Sequence, residues 1–226
     1  MQASLIDELG RAFAPHGLVL RGGFNFGSRE SVPAASGRLA KTVLLIGNAG
    51  AAYWPRFMDW REGQPANLEN PLDTWCREVI GKVAEAFGAR AVSPSDRPFL
   101  PFQQWAMRAE GLKSSPLGIL MHPEYGLWHA YRGALLFDRE IAAAPPAAVT
   151  HLCDACAEKP CLKACPVEAY TQAGFAHEAC LAHVRGPSGA ACRDGGCLDR
   201  NACPFGAAYR YQAPVQAFHM KAFAKL

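Results

Sequence analysis

The chain has 226 residues, half of them hydrophobic, which is enough for one large or two modest domains. Lys and Arg number 23 against 20 Asp and Glu, a net charge of +3 that is too balanced for a nucleic-acid footprint. No apolar run reaches membrane-spanning length, and the start, Met1 to Glu8, lacks the basic region of a signal peptide and carries early acids.

In chain order, Leu5 to Phe13 reads as a helix. Lys41 to Gly47 is a short apolar run closed by glycine, as in a buried strand. Leu72 to Phe87 repeats apolar residues at helical spacing, with Asp73 near its start and Gly88 after its end. Cys76 stands alone in this helix and reads as a packed core thiol. Phe102 to Leu112 reads as helix, and Gly118 to Met121 and Leu127 to Phe137 as strands. Helices and strands mix without regular βαβ repetition, which favours an α+β sandwich. Neither G-x-G-x-x-G after a strand nor G-x-x-x-x-G-K-[ST] occurs, so Rossmann and P-loop readings have no support.

The proline-rich stretch 142–148 reads as a linker. It divides residues 1–141 from a second domain at 149–212, followed by residues 213–226 as a tail or docked helix. Eight of the nine cysteines lie beyond the linker. Cys153, Cys156, Cys161 and Cys165 form C-x2-C-x4-C-x3-C-P; Cys180, Cys192, Cys197 and Cys203 form C-x11-C-x4-C-x5-C-P. Two thiolate groups that each end in Cys-Pro are the pattern of two iron–sulfur clusters, in which the cysteine before proline ligates the other cluster. One cluster then takes Cys153, Cys156, Cys161 and Cys203, the other Cys165, Cys180, Cys192 and Cys197. Both are expected to be [4Fe–4S], and a metal-free form is not expected to hold its fold. The spacings are longer than the usual ferredoxin run, which loop-closure entropy tolerates. Structural zinc on four thiolates is one alternative. Disulfides are another, but they need an oxidising compartment, whereas a thiolate-rich chain suits the reducing cytoplasm.

The densest chemistry before the linker is Met121 to Gly133, with His122, Tyr125, Gly126, Trp128, His129, Tyr131 and Arg132. Aromatic and glycine residues let a flat ligand approach the backbone, and the arginine and histidines can bond amide or phosphate groups. A half-buried aromatic strand is the ordinary reading of the same residues.

This stretch resembles the H-P-x-[FY]-G-x-W…R-G segment of CblC-type cobalamin-processing proteins. Ser95-Asp96-Arg97-Pro98-Phe99-Leu100 is similar to the R-P-x-x-L stretch of that family and of epoxyqueuosine reductase. Thr42 to Gly47 followed by Asn70 to Cys76 stand in similar order to CblC. The cysteine segment resembles the ferredoxin half of epoxyqueuosine reductase and of reductive dehalogenases. The combined resemblance covers most of residues 40–210. It implies a nitroreductase-like α+β domain binding cobalamin, then a small bacterial-ferredoxin-like domain with two [4Fe–4S] clusters that feed electrons to cobalt. Cluster potentials span roughly −700 to +450 mV, so low-potential delivery is within their range. The chain lacks D-x-H-x-x-G, which implies binding without a lower histidine ligand.

The resemblance implies cofactor contacts at Arg97, His122, Tyr125, Gly126, Trp128 and Arg132. Acid–base candidates are Asp96, His122 and Tyr125. Where epoxyqueuosine reductase has a proton-donating aspartate two residues before R-P, this chain has Ser95; Asp96 stands next to Arg97, and capping a turn or pairing with an arginine is its other reading. The helical repeats that help that family hold tRNA are absent from this sequence. The functional expectation is an oxidoreductase whose clusters reduce a bound corrinoid. The donor would be a flavodoxin, a ferredoxin or a reductase. The alternatives are a non-catalytic electron carrier or corrinoid chaperone, and a flavin-dependent reductase using FMN.

Overall fold

Helix α1 (Leu5–Phe13) starts where a capping box starts it. The Ser4 hydroxyl accepts the Asp7 N–H at 3.2 Å, and the Asp7 carboxylate returns a bond to the Ser4 N–H at 3.3 Å. The amphipathic helix buries Leu9 and Phe13. Strand β1 (Val19–Asn25) runs antiparallel to β2 (Thr42–Ala49), with its register shifted between Arg21 and Gly23. In β2 the run Val43-Leu44-Leu45-Ile46 is buried on both faces, which explains its unbroken apolar character. Helix α2 (Trp54–Glu62) buries Phe57. Helix α3 (Pro71–Ala86) opens on proline at its first position and turns Leu72, Trp75, Cys76, Val79, Ile80 and Val83 inward, the spacing of one helical face. Each large apolar side chain so buried contributes roughly 1.5–3 kcal/mol. Strand β3 (Arg90–Val92) and helix α4 (Phe102–Glu110) follow.

The computed structural model describes residues 4–28, 30–143, 146, 149–171 and 174–226. The chain divides into two units: residues 1–111 with 130–149, and residues 112–129 with 150–226. After α4 it therefore enters the second unit for β4 (Lys113–Ser114) and β5 (Leu120–Met121), which pair antiparallel. It returns for β6 (His129–Phe137), all but His129 of which belongs to the first unit. There the sheet has the order β1-β2-β6-β3, and β3 runs antiparallel to β6 with Arg90 opposite Leu136. Helices α1 and α4 pack on β1 and α3 packs by β3, a mixed helix–sheet unit. Arg21, 2% exposed, forks onto Glu110 through Nε and Nη2, both at 2.9 Å, and the Tyr131 hydroxyl donates to the same carboxylate.

In the second unit β7 (Tyr170–Thr171) pairs with β8 (Gly174–Phe175). Four short helices follow: α5 (His177–Arg185), α6 (Ala190–Gly195), α7 (Leu198–Ala202) and α8 (Ala213–Ala224). Helix α8 packs on α5 and α6 and buries Val215 and Gln216, so residues 213–226 form a docked helix rather than a loose tail. The Gln216 amide bonds Asn201 and the Tyr211 carbonyl.

Several boundaries differ from the expected ones. The strand expected at Gly118 to Met121 is confined to Leu120–Met121, because Gly118 sits in a turn with φ +74°. The strand expected from Leu127 begins at His129. The division between units does not follow the proline-rich stretch alone, since 112–129 joins the cysteine-bearing half. The expected linker, 142–148, lies largely outside the described residues. Among the described residues no helix is long and apolar enough to cross a membrane.

Candidate functional site

The cysteines of the second unit come from unlike places. Cys153 sits in a turn, whose carbonyl accepts the Cys156 N–H at 3.3 Å, and Cys161 in a single 3-10 turn (Pro160–Leu162). Cys180 lies in α5 and Cys192 in α6, while Cys197 and Cys203 flank the five residues of α7 as its two caps. The structure brings Cys153, Cys156, Cys161 and Cys203 around one cavity, of about 10 Å³, beside Met121 and Leu127. It brings Cys165, Cys180, Cys192 and Cys197 around another, of about 260 Å³, beneath Met220 and Phe223 of α8. These are the two sets of four that follow from exchanging the Cys-Pro cysteines.

Burial pushes the thiols of Cys153, Cys161, Cys180, Cys192, Cys197 and Cys203 up, Cys180 to about 11. The cysteines that add to this rise belong in each case to the same set: Cys203 and Cys156 act on Cys153, and Cys197 and Cys165 on Cys180. Such thiols become thiolates together only if positive charge enters between them. Among the described residues no three His, Cys, Asp or Glu side chains close on one point as ligands of a single metal ion do.

Two charged side chains adjoin these sets, neither of them singled out by the motif. The Lys159 ammonium donates to the carbonyls of Cys153 and Cys156, the latter at 2.8 Å. The Asp199 carboxylate is buried in α7, lines the second cavity and accepts the Ala164 N–H at 3.0 Å. Burial raises the Asp199 carboxyl, and the N–H groups of Ala164 and Cys165 oppose that rise. The one available signal was position, since both residues fall inside the cysteine run.

The aromatic stretch after Met121 turns into the second unit. His122 Nδ1 accepts the N–H groups of Glu124 at 3.1 Å and Tyr125 at 3.0 Å, closing a turn. With Nδ1 accepting both bonds, the tautomer they require carries its hydrogen on Nε2. Its face stacks on Tyr125 at 3.9 Å, and Tyr125 meets Tyr209 edge-on. Gly126, at φ +58°, faces the Phe205 carbonyl, and Gly206, at φ +69°, faces that of Tyr125. Trp128 is fully buried, with the Arg200 guanidinium 4.4 Å from its ring centre and Tyr211 against its edge. Trp128 Nε1 and Arg200 Nε have no hydrogen-bond partner among the described residues. Residues expected as cofactor contacts thus build the wall behind Cys203-Pro204-Phe205.

The remaining candidates lie in the first unit. Asp96 and Arg132 share a cavity of about 190 Å³ with Arg77 and Ser93. Asp96 Oδ2 accepts the Ser93 N–H at 2.7 Å and Oδ1 pairs with Arg77 at 3.2 Å. Turn cap and ion-pair partner are therefore the roles this geometry gives Asp96, and both its oxygens are engaged. Arg132 Nε donates to Asn48 Oδ1 at 2.8 Å, and its guanidinium lies 5.0 Å from the Tyr53 ring centre. Arg97 lies over the ring of the exposed Phe99. The cavity has room for a ligand's side group and falls below the roughly 300–1,000 Å³ of a site that encloses a whole ligand.

By sequence the chain matches no protein-family model and no curated protein. By fold it is similar to epoxyqueuosine reductase from Streptococcus thermophilus, with a TM-score of 0.56 at 16% identity over 90% of this chain and 66% of that one. It is also similar to an epoxyqueuosine reductase solved with an epoxyqueuosine-modified tRNA-Tyr stem loop, with a TM-score of 0.52 at 16% identity, covering 92% and 67%. The C. elegans B12-trafficking protein CblC, a homologue of human MMACHC, gives a TM-score of 0.54 at 12% identity, covering 96% of this chain and 95% of that one. The chain spans about two thirds of the length of the epoxyqueuosine reductases it matches. At these identities the likeness is one of fold.

Proposed function

We propose that the chain is an iron–sulfur redox protein of the cytoplasm that carries electrons to a bound corrinoid. The observation that carries this reading is the sorting of eight cysteines into two cavities of four, each set completed by a Cys-Pro cysteine from the other run. In each cavity a [4Fe–4S] cluster would be held by the four cysteines and would supply one-electron transfer. The chain's own residues provide the rest. Met121 and Leu127 at the first cavity, and Met220 and Phe223 at the second, keep water from the thiolates. The Gly126–Gly206 crossing fixes where Cys203 stands.

The corrinoid part of the reading is supported by two neighbours of the fold, a reductase and a B12-trafficking protein, and by the Arg132 cavity of the first unit. Arg132 would bond an amide or phosphate side group there. Asp96, the one carboxylate among the described residues lining that cavity, is tied to Ser93 and Arg77, a geometry more in keeping with electron delivery and upper-ligand processing than with proton donation to an organic substrate.

The test is anaerobic reconstitution followed by titration with cob(II)alamin, read by EPR and visible absorption. Eight irons per chain and saturation at one equivalent without a lower nitrogen ligand are expected, with weaker binding by Arg132→Ala at unchanged iron content. Eight irons without corrinoid binding would leave a two-cluster electron carrier. Binding of FMN in place of corrinoid would make it a flavin reductase.

A further inference from the structure

We infer that Lys159 and Asp199 hold the two cysteine sets at different reduction potentials, the second set lower than the first. The inference rests on the cluster reading above. Asp199 is 1% exposed and is the only buried carboxylate among the described residues. It lies two residues after Cys197, and its side chain lines the second cavity. It also reaches back to the first cysteine run, accepting the N–H of Ala164 immediately before Cys165. One carboxylate therefore braces the second set at both of its sources.

A negative charge opposes addition of an electron at the same centre, and potentials also depend on hydrogen bonds to the cluster sulfurs. Asp199 acts in one direction through both. It places a carboxylate at the second cavity, and it takes up the Ala164 N–H beside Cys165. Lys159 acts the other way at the first cavity. Its ammonium is fixed on the carbonyls of two cysteines of that set, Cys153 and Cys156, and lines the same cavity. Asp154 on the first side is exposed, so solvent screens it, and His183 is the other titratable group besides the cysteines and Tyr170 at the second cavity. With clusters held by the two sets, the favoured movement of one electron would be from the second, which would be oxidised, to the first, which would be reduced, with no proton transferred.

The test uses the full-length chain, reconstituted anaerobically, with iron and sulfide counted first and then a dithionite titration followed by EPR. Two separate midpoints are expected. Asp199→Asn raises the lower one by about 59 mV, a tenfold change in the oxidised-to-reduced ratio of a one-electron couple, and moves the higher one less, since the Asp199 carboxylate also acts on Cys161 of the first set. Asp199→Glu restores the wild-type value. Lys159→Gln lowers the higher midpoint and serves if Asp199→Asn does not load. With eight irons bound, an equal shift of both midpoints, or no shift in either variant, overturns the inference. Wild-type protein that binds no iron overturns the cluster reading instead.

Discussion

Replacing Gly126 by alanine should cripple the second unit out of proportion to one methyl group. Two costs add. At φ +58° an L-residue sits in left-handed backbone, which costs about 1–2 kcal/mol. The new Cβ would also stand 2.2 Å from the Phe205 carbonyl oxygen, with the Phe205 carbon at 2.6 Å and the Gly206 nitrogen at 3.0 Å. These atoms are backbone and cannot swing aside, so the segment carrying Cys203 must move, a strain of about 1–3 kcal/mol. The sum, about 2–5 kcal/mol, is about 4–20 °C in Tm for a chain of this size. Gly118 supplies the control. Its φ is +74°, yet nothing lies within 4 Å of its Cβ position, so Gly118→Ala should show the backbone cost alone. Thermal melts and iron content after reconstitution read both variants. Gly126→Ala should melt below Gly118→Ala and lose iron from the first set. Equal melting of the two variants with full iron content would refute the claim that the crossing positions Cys203.

Other substitutions probe separate parts. Cys203→Ser should remove the EPR signal of the centre shared with Cys153 and spare the one shared with Cys197; the reverse result breaks the interleaved assignment. Glu110→Ala removes the carboxylate that faces the buried Arg21 guanidinium and should cost about 3–5 kcal/mol in urea unfolding, whereas a loss below 1 kcal/mol would mean that water reaches Arg21. Burial pushes the Cys76 thiol from 9.0 to about 11, so the fold favours its protonated form. That contribution is complete below pH 9 and is lost as pH rises through about 11. Cys76→Ala should therefore lose less stability than wild type between pH 9 and 11, read as urea midpoints; parallel pH profiles would contradict it.

The features most legible in the sequence were those in which one chemical requirement dominates. Helix α1 was readable to its ends because its buried face and polar start agree. Strand β2 was readable because burial on both faces leaves only apolar residues. The cysteines grouped by exchanging the Cys-Pro residues line the same cavities, a grouping read from spacing rather than from propensity. Strand β1 escaped because Arg21-Gly22-Gly23 reads as a turn. Its arginine is neutralised by Glu110, which lies far along the chain, and its glycines carry a register shift. Helix α2 escaped because Phe57 is its one buried residue, which leaves little periodicity to see. The His122–Gly133 stretch looked like one site because its residues are contiguous. The boundary between units falls between His129 and Ala130, so His122, Tyr125 and Trp128 pack with the cysteines and Arg132 with the sheet. Asp199 carried no motif; its role depends on Ala164, 35 positions away.

The caps of α7 have a consequence for how the protein is made. Cys203 is the fourth wall of the first cavity, and Cys165, from the first run, belongs to the second. On the cluster reading proposed above, Cys153, Cys156 and Cys161 would wait, as the nascent chain leaves the ribosome, for the last of the eight before their set closes, while Cys165 could take the vacant place. Correct assembly would then require that iron insertion lag behind synthesis of α7, and a supply of iron that outruns translation would favour a mispaired first set.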